Sequence, residues 1–455
     1  MKMTRTRSAL LGSGAAVALL AAQVPASADE IEELRTQIQS LQNKMGKLEA
    51  AQRRKRRVAP AAAVEAGAKP RSWKLPGTNT SMQIGGYAKL DIIYDINGNT
   101  GDSINPHPAS GSPVANRQQH FRLHARQSRF WIRTWTPTDW GELETHIQGD
   151  FFGAGGNQIV SNSDTFRARH LYGRLGPVLA GQTWSAFMIL ESLPDVLDFS
   201  GPAGTTFIRQ AQLRYTHSFG GGTTFVFSIE NPETSVGAAF NNTLAGSGVV
   251  LNGAPGGVAT IGQDPIPDFI VGLTHTWGSG RASIRALFRQ INYNDGISIS
   301  DSVFAWGITG GFGWRFNNRR TAIGMSAYYG RGIGRYTAAA GNAIAVVANG
   351  AGSAFSLRTV AQYGGQIWIQ HRWTDTLRSN LVYGRIRNDY IQQVTGGKNA
   401  GGSATQDNWT IHANLIWRPV PRVDIGVEYI YGFNGLVNSA NGELHRVQVS
   451  FKYNF

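Results

Sequence analysis

The chain has 455 residues, a formal net charge of +14 and no cysteine, which excludes a disulfide framework and a thiolate metal site. Apolar residues make up only 41%, whereas glycine (56) and the aromatic residues (12 Trp, 14 Tyr and 21 Phe) are plentiful. That mixture is typical of many strands and turns rather than of helices packed around a thick core. Of the 43 basic residues 34 are arginine, whose forked guanidinium suits carboxylates and phosphates.

Residues 1–28 have the pattern of a cleavable export signal. Three basic residues precede the apolar stretch 8–22, and Ala26-Ser27-Ala28 forms an A-x-A cleavage site. The stretch is too short to span a membrane as a helix, and no apolar run of about 18 residues follows it. We predict an exported protein that starts at Asp29 and has no helical membrane anchor. Loss of the three basic residues lowers its formal charge from +14 to +11.

Residues 29–52 are predicted to form an α-helical coiled coil, because their apolar residues alternate at spacings of three and four. The seam consists of Ile31, Leu34, Ile38, Leu41, Met45 and Leu48. Glu30 with Arg35 and Lys44 with Glu49 bring opposite charges to the flanking positions, as parallel coils prefer. The seam residues alone favour two strands. The alternative is a single amphipathic helix lying on the base of the domain that follows.

Residues 53–79 are predicted to be a linker, basic at first and then rich in alanine, proline and glycine. The run Arg-Arg-Lys-Arg-Arg at 53–57 could bind nucleic acid, but an exported protein meets little of it. We therefore expect no nucleic-acid partner. An anionic membrane face or a cell-wall polymer such as peptidoglycan suits the run better.

From residue 80 to the end, apolar and polar residues alternate, which predicts strands with one apolar face. Residues 409–417 and the closing run 445–455 are clear examples, with strands of about ten residues or more. Trp409 and Trp417 share a face and lie roughly 26 Å apart, close to the roughly 25 Å apolar band of membrane barrels. In such a barrel the apolar side faces outward.

The connections between these strands alternate in length. Short links fall at 137–141, 176–177, 219–222, 278–280, 317–319, 374–376 and 419–422. Long polar segments fall near 96–118, 153–163, 188–205, 232–266, 294–301, 332–354, 391–405 and 433–443. We predict an all-β domain over 80–455, a 16-stranded antiparallel transmembrane β-barrel with both termini on the short-turn side. The rival is a water-soluble sandwich, which would not alternate its loops by length.

Arginines recur on the polar faces of the predicted strands, where they would line the lumen, because arginine facing lipid costs about 2–4 kcal/mol at the midplane. The predicted pore-lining residues are Arg122, Arg126, Arg129, Arg133, Arg167, Arg169, Arg214, Arg285, Arg289 and Arg372. Arg122 and Arg126 have even numbers, whereas Arg129 and Arg133 have odd numbers, so in one regular strand the two pairs would face opposite sides. A bulge or bend near Gln127-Ser128 is therefore required if all four are to face the lumen. Such a row would attract anions. Alternatively, about half would pair with wall acids such as Asp91, Glu144, Asp150 and Glu428.

The stretch 184–204 breaks the alternation with clustered apolar residues, two prolines and two glycines. We predict that it folds inward and narrows the pore. Its acidic residues Glu191, Asp195 and Asp198 would then face the solute path or a wall arginine. The alternatives are an outward cap and a contact between subunits.

No enzyme, cofactor or metal site is predicted. The nucleophile-elbow, zinc-protease and P-loop patterns are all missing from the sequence. His120 and His124 would lie roughly 13 Å apart in a strand, too far to share one ion. A barrel protease or lipase assembled from separated strands is the remaining enzyme alternative.

Several stretches, in this order, resemble the DcaP-like dicarboxylate porins, which are trimeric outer-membrane proteins of Gram-negative bacteria. They are the coil at 30–52, QIGGYAKLDIIYD (83–95), ARQSRFWIRTWTPTDWGELETHIQGDFFG (125–153), FRARHLYGRLG (166–176), AGQTWSAFMILESLPDVLDFSGPAG (180–204), RQAQLRYTHSF (209–219) and the terminal aromatic strand.

The resemblance implies a homotrimer of barrels in the outer membrane, each with its own pore for small anionic solutes such as dicarboxylates. The coiled coil would lie in the periplasm, and lipid and lipopolysaccharide would surround the barrel. Phe455 and the alternation before it would be the signal read by the barrel-assembly machinery. A phosphate-type anion channel is an alternative, as is a structural tether that binds peptidoglycan through the coil and the basic linker.

Overall fold

A computed structural model describes residues 28–57, 64–98, 101–104, 119–153, 157, 159, 161–233, 264–294, 300–337, 344–348, 355–389, 405–436 and 439–455. The predicted leader therefore lies outside the described residues except for Ala28, as do large parts of the predicted long connections. The chain divides into two compact units, Met1–Glu65 and Ala66–Phe455.

The first unit contains one helix, α1, Ala28–Arg57. It covers the predicted coil and continues through the basic run, so the first five residues of the predicted linker are helical. Arginine, lysine, glutamine and alanine are good helix formers, and they need no apolar period to continue a helix. The side chains of Leu34, Ile38, Leu41, Met45 and Leu48 are 53–68% exposed, so a single chain leaves this seam uncovered. Among the described helices none is both long and apolar enough to cross a membrane.

The second unit is built of strands. They are β1 Trp73–Lys74, β2 Ser81–Asn97, β3 His120–His124, β4 Arg129–Thr138, β5 Gly141–Asp150, β6 Arg167–Leu175, β7 Val178–Trp184, β8 Arg209–Gly220, β9 Thr223–Glu230, β10 Asp268–Trp277, β11 Gly280–Asn294, β12 Ser300–Phe316, β13 Thr321–Arg331, β14 Ile344–Ala348, β15 Phe355–Thr359, β16 Ala361–Arg372, β17 Leu377–Asp389, β18 Thr405–Trp417, β19 Val423–Leu436 and β20 Asn441–Asn454. β14 and β15 form a separate hairpin, and the other 18 belong to one antiparallel sheet.

This sheet is a closed barrel with 16 wall strands, as predicted. β3 and β4 both pair with β2 and are two pieces of one wall strand. The two-residue β1 is an edge extension beside the start of β2. β20 pairs with both β19 and β2, which closes the ring and leaves no long open edge.

The bulge predicted from the arginine parity is confirmed at the junction of β3 and β4. On β2, Asp91 lies opposite His124 and Tyr87 lies opposite Arg129. The two residues of β2 are four positions apart, whereas their partners are five positions apart. One extra residue is thus inserted between His124 and Arg129. It returns the arginines of β3 and β4 to the same face of the sheet.

The predicted alternation of connections is largely confirmed. Seven turns of two to five residues separate the paired strands at one rim. Most of the connections at the other rim are longer, but 295–299 and 437–440 are as short as the turns. Both are short because β11, β12, β19 and β20 extend further than the sequence pattern indicated, into segments that we predicted to be loop.

The two faces of the closing strands differ as the alternation predicts. In β18 and β20, Leu415, Trp417 and Tyr453 are exposed on the outer face, whereas Asn414 and Gln448 are buried on the inner face. The last residue completes the seam, because the backbone N–H of Phe455 donates to the Gly86 carbonyl at 3.1 Å. β20 stops opposite Tyr87, and β1 takes its place beside the first residues of β2.

Candidate solute pathway

The segment 185–208, between β7 and β8, lies inside the barrel. Its Ser192 carbonyl accepts hydrogen bonds from Trp368 Nε1 (2.6 Å) and Gln366 Nε2 (2.9 Å) on β16. On β18, Thr410 Oγ1 accepts the backbone N–H of Ala203 at 3.0 Å. Because these partners belong to the inward face of the wall, we call residues 185–208 the inner segment.

Two adjacent peptide groups of the inner segment, on either side of Leu197, are fixed from several strands at once. The carboxylate of Glu428, on β19, accepts the backbone N–H groups of Leu197 (2.9 Å) and Asp198 (3.2 Å). The Leu197 carbonyl accepts Lys89 Nζ at 2.8 Å, Gln448 Nε2 at 3.1 Å and Gln127 Nε2 at 3.2 Å. Buried polar groups with this many partners have one favoured position.

The three predicted acids of the inner segment differ in environment. Asp198 is buried beside Arg446 (3.3 Å), and burial raises the pKa of its carboxyl despite that cation. Glu191 accepts a hydrogen bond from Ser283 Oγ. Asp195 binds Arg378 Nε at 2.8 Å, and its side chain is 43% exposed. It is therefore more accessible than the buried Asp198.

Two predicted arginines are held by a carboxylate on the loop after β2. Asp102 accepts Arg122 Nη1 at 2.8 Å and Arg126 Nη1 at 2.5 Å. Burial by itself would raise the pKa of Asp102, but these hydrogen bonds outweigh it and the pKa lies below its usual value. Neither guanidinium is therefore a freely available cation.

Three more of the predicted arginines are ion-paired inside the barrel. Asp150 on β5 binds both Arg167 (3.0 Å) and Arg169 (2.6 Å). Asp268 on β10 lies 3.2 Å from Arg289. The sequence had suggested Asp150 as a wall acid of this kind.

Arg214, Arg285 and Arg372 have no carboxylate partner among the described residues. Arg214 donates to Gln212 Oε1 at 2.8 Å and to the Trp184 carbonyl. Arg285 is buried and braces the inner segment through the Ala186 carbonyl at 3.2 Å. Arg372 is exposed at the short-turn end of β16.

The remaining two, Arg129 and Arg133, lie over aromatic rings. The Arg129 guanidinium is 5.1 Å from the centroid of Tyr87, and that of Arg133 is 5.3 Å from Trp131. The Nε atom of each is buried and has no hydrogen-bond partner among the described residues. Such a ring holds a cation in place without neutralising its charge.

Sequence reasoning missed three cations of the same region. Lys452 Nζ lies 4.4 Å from the Tyr87 ring, and Arg209 lies 4.8 Å from Trp184. Arg378 binds Asp195 and Asp424. Lys452 alternates with Phe451 and Tyr453 along β20, which indicates a polar face but not a contact with a ring. Arg209 is at the start of a strand, where alternation gives no clear face.

Many of these groups meet around a cavity of about 260 Å³ between the inner segment and the wall. Its lining includes Tyr87, Lys89, Arg129, Arg169, Asp195, Arg378 and Lys452. Lys89 and Lys452 lie directly opposite each other on β2 and β20. Lys89 contacts Asp91 at 3.0 Å, but neither Arg129 nor Lys452 forms an ion pair with a described residue. In the described part of the chain no three acidic or histidine side chains cluster closely enough to hold a metal ion.

A closed 16-stranded barrel with a segment folded inside it defines a porin-type channel. The model of the DcaP outer membrane protein family matches residues 18–244. The chain belongs to that family, and thus to the outer-membrane channels.

The solved structures similar to the chain include two outer-membrane proteins. The outer membrane channel DcaP of Acinetobacter baumannii has a TM-score of 0.70 and 22% identity, over 86% of this chain and 100% of that one. OprB of Pseudomonas putida has a TM-score of 0.50 and 9% identity, over 82% of this chain and 94% of that one. No curated protein matches the chain in sequence.

Proposed function

We propose that the protein is a passive, water-filled pore for small anionic solutes. The observation that carries this proposal is the pair Arg129 and Lys452. Both line the cavity beside the inner segment, both lie over the Tyr87 ring, and neither forms an ion pair within the described part of the chain. Their charges are available to a passing solute.

The surroundings of this pair favour anions over cations. A lumen that presents fixed positive charge raises the local concentration of anions and repels cations. The inner segment narrows the lumen at the same level, so a solute would pass close to these side chains. Water in the pore keeps each contact weak enough for release.

Dicarboxylates are the solutes that we propose, because separated cations can hold both ends of such a molecule. Arg129 and Lys452, on different wall strands beside the Tyr87 ring, offer two such cations without an acidic partner among the described residues. A phosphate-type anion is the alternative, since guanidinium binds both groups in the same forked manner. A liposome-swelling panel of dicarboxylates, monocarboxylates and phosphate would rank them.

Reversal potential in a planar bilayer under a salt gradient is the test of anion selectivity. We expect the protein to pass chloride in preference to potassium. A cation-selective or permanently closed channel would overturn the proposal.

We further propose that the protein is a homotrimer, that residues 1–28 are removed on export, and that α1 forms a coiled coil in the periplasm. The uncovered seam from Leu34 to Leu48 supports self-association, because helices in proteins take most of their stability from packing of an apolar face. Lipid and lipopolysaccharide would surround the barrel.

Deleting residues 29–71 is expected to leave conductance intact, because the barrel wall does not include them. If the coil and basic run also bind peptidoglycan, the deletion should release the protein from purified cell-wall sacculi. Co-sedimentation with sacculi measures this, with the full mature chain as the control. Unchanged co-sedimentation would exclude the tether.

We propose that Phe455 is part of the signal read by the barrel-assembly machinery. Its backbone closes the seam at Gly86, and its ring packs there. Deleting Phe455 should reduce the amount of folded barrel severalfold, measured by heat-modifiable gel mobility. The barrels that do form should keep wild-type conductance, and a normal yield of folded barrel would contradict the assignment.

A further inference from the structure

A row of five arginines lies at the short-turn end of consecutive strands, and only its last member also lines the cavity around Tyr87. We call it the arginine arc, and it consists of Arg281 (β11), Arg315 (β12), Arg320 (before β13), Arg372 (β16) and Arg378 (β17). Of the five, only Arg372 was predicted to line the pore.

Four of the arc residues belong to the inward face of the wall, and Arg320 lies in the turn that precedes β13. Ser283, Gly313 and Gln370 contact or approach the inner segment, and Arg281, Arg315 and Arg372 are each two residues from one of them. Because side chains alternate along a strand, residues two apart share a face. Arg378 contacts Asp195 of the inner segment directly.

Strand pairing brings the arginines of the arc next to one another. The Arg372 backbone N–H donates to the Arg320 carbonyl at 2.8 Å, and Arg372 is directly opposite Arg378. Arg281 lies opposite Gly313, so Arg315 is its diagonal neighbour on the same face, at roughly 7–8 Å. Like charges directly opposite one another destabilise a sheet. Negative charge bound beside such a row would relieve this repulsion.

The described residues supply little of that negative charge. Asp195 and Asp424 both bind Arg378, at 2.8 and 3.0 Å. Arg281, Arg315, Arg320 and Arg372 are exposed and form no ion pair with any residue that the structure describes. Four guanidiniums are therefore open to anions from solution.

We propose that the arginine arc is a second anion-binding site, at the short-turn mouth of the pore, for solutes with more than one carboxylate or phosphate charge. This proposal rests on the proposed anion channel and adds a second binding site to the solute pathway. An anion leaving the cavity passes Arg378, which lines the cavity and also ends the arc. The arc would hold multivalent anions at one mouth and make the channel respond differently to them from its two sides.

Side-specific block of the full mature protein in a planar bilayer tests the arc, with tripolyphosphate as the probe. The chain has no cysteine, so Asp139→Cys on the turn between β4 and β5, with a membrane-impermeant thiol reagent, shows which compartment the short turns face. We expect tripolyphosphate to block at lower concentration from the short-turn side. The double variant Arg315→Gln and Arg320→Gln should raise that half-blocking concentration about tenfold.

The same variant separates this site from the main selectivity. Block from the long-loop side should stay unchanged, and the reversal potential in potassium chloride should keep its sign. Arg71→Gln removes an exposed charge outside the arc and should change neither. Equal sensitivity from both sides in the wild type, or a variant that shifts both sides alike, would overturn the arc. A cation-selective wild type would instead overturn the proposed function.

Discussion

Replacing Arg129 and Lys452 together with glutamate is expected to abolish the anion preference of the channel and turn it toward cations. Both side chains line the cavity without an acidic partner among the described residues, so each change converts an available +1 charge into −1. A unit charge about 4 Å from a solute ion contributes on the order of 1 kcal/mol in bulk water and several times more near protein. Since 1.4 kcal/mol is a factor of ten, a sign change in reversal potential should result.

A matched pair of single variants tests the reason for this effect. Arg129→Gln and Arg122→Gln each remove one positive charge from an inward-facing side chain. Arg122 is bound to Asp102, whereas Arg129 lies over Tyr87. Arg129→Gln should shift the reversal potential several times more than Arg122→Gln. Equal shifts would mean that total lumen charge, and not its availability, sets selectivity.

The architecture could be predicted from the sequence because each constraint is local. Lipid requires an apolar residue at every second position, so strands such as 445–455 show their faces directly. The bulge before Arg129 could be predicted from the numbering of the arginines alone, because without it the arginines on one half of the strand would face lipid at a high cost in free energy. Helix α1 ran further than predicted, because apolar spacing marks a helix face and not a helix end.

The partners of the arginines could not be predicted, because they depend on contacts between distant parts of the chain. Arg446 binds Asp95, 351 residues earlier, and Asp198 on the inner segment. Asp102 lies in a connection that shows no alternation, so nothing in the sequence directed it toward Arg122 and Arg126. Five of the ten predicted arginines have carboxylate partners in the described structure, in line with the expectation that about half would.

The contacts between cations and aromatic rings could not be predicted from the sequence either. Tyr87 precedes Arg129 by 42 positions and Lys452 by 365, yet the closing of β20 on β2 brings all three together. A polar face in a strand shows which side meets water, but it does not show whether a cation there will meet a carboxylate or a ring. The contacts of each cation therefore determine whether it is available to a solute and which variants test that availability.

The inner segment should lose its fixed position when Glu428 is replaced by glutamine. The carboxylate accepts Leu197 N–H, Asp198 N–H, His412 Nδ1 and Asn414 Nδ2, all at 2.8–3.2 Å. Glutamine keeps the shape but has a single acceptor oxygen, and its amide would point N–H groups at other donors. Each charge-assisted hydrogen bond lost costs about 1.5–3 kcal/mol. The Leu197 peptide should then move away from β19.

Single-channel recording should show this release as a noisier open state with a higher mean conductance, because the inner segment no longer holds one position across the lumen. Glu144→Gln is the control, since Glu144 also faces inward and binds Arg174 at 2.6 Å, but has no contact with the inner segment among its described partners. Both variants lose one negative charge, so a change in selectivity that both of them show reflects the lost charge and not release of the inner segment. Heat-modifiable gel mobility confirms that both barrels are folded. A quiet Glu428→Gln channel of wild-type conductance would show that Lys89, Gln127 and Gln448 hold the segment without Glu428.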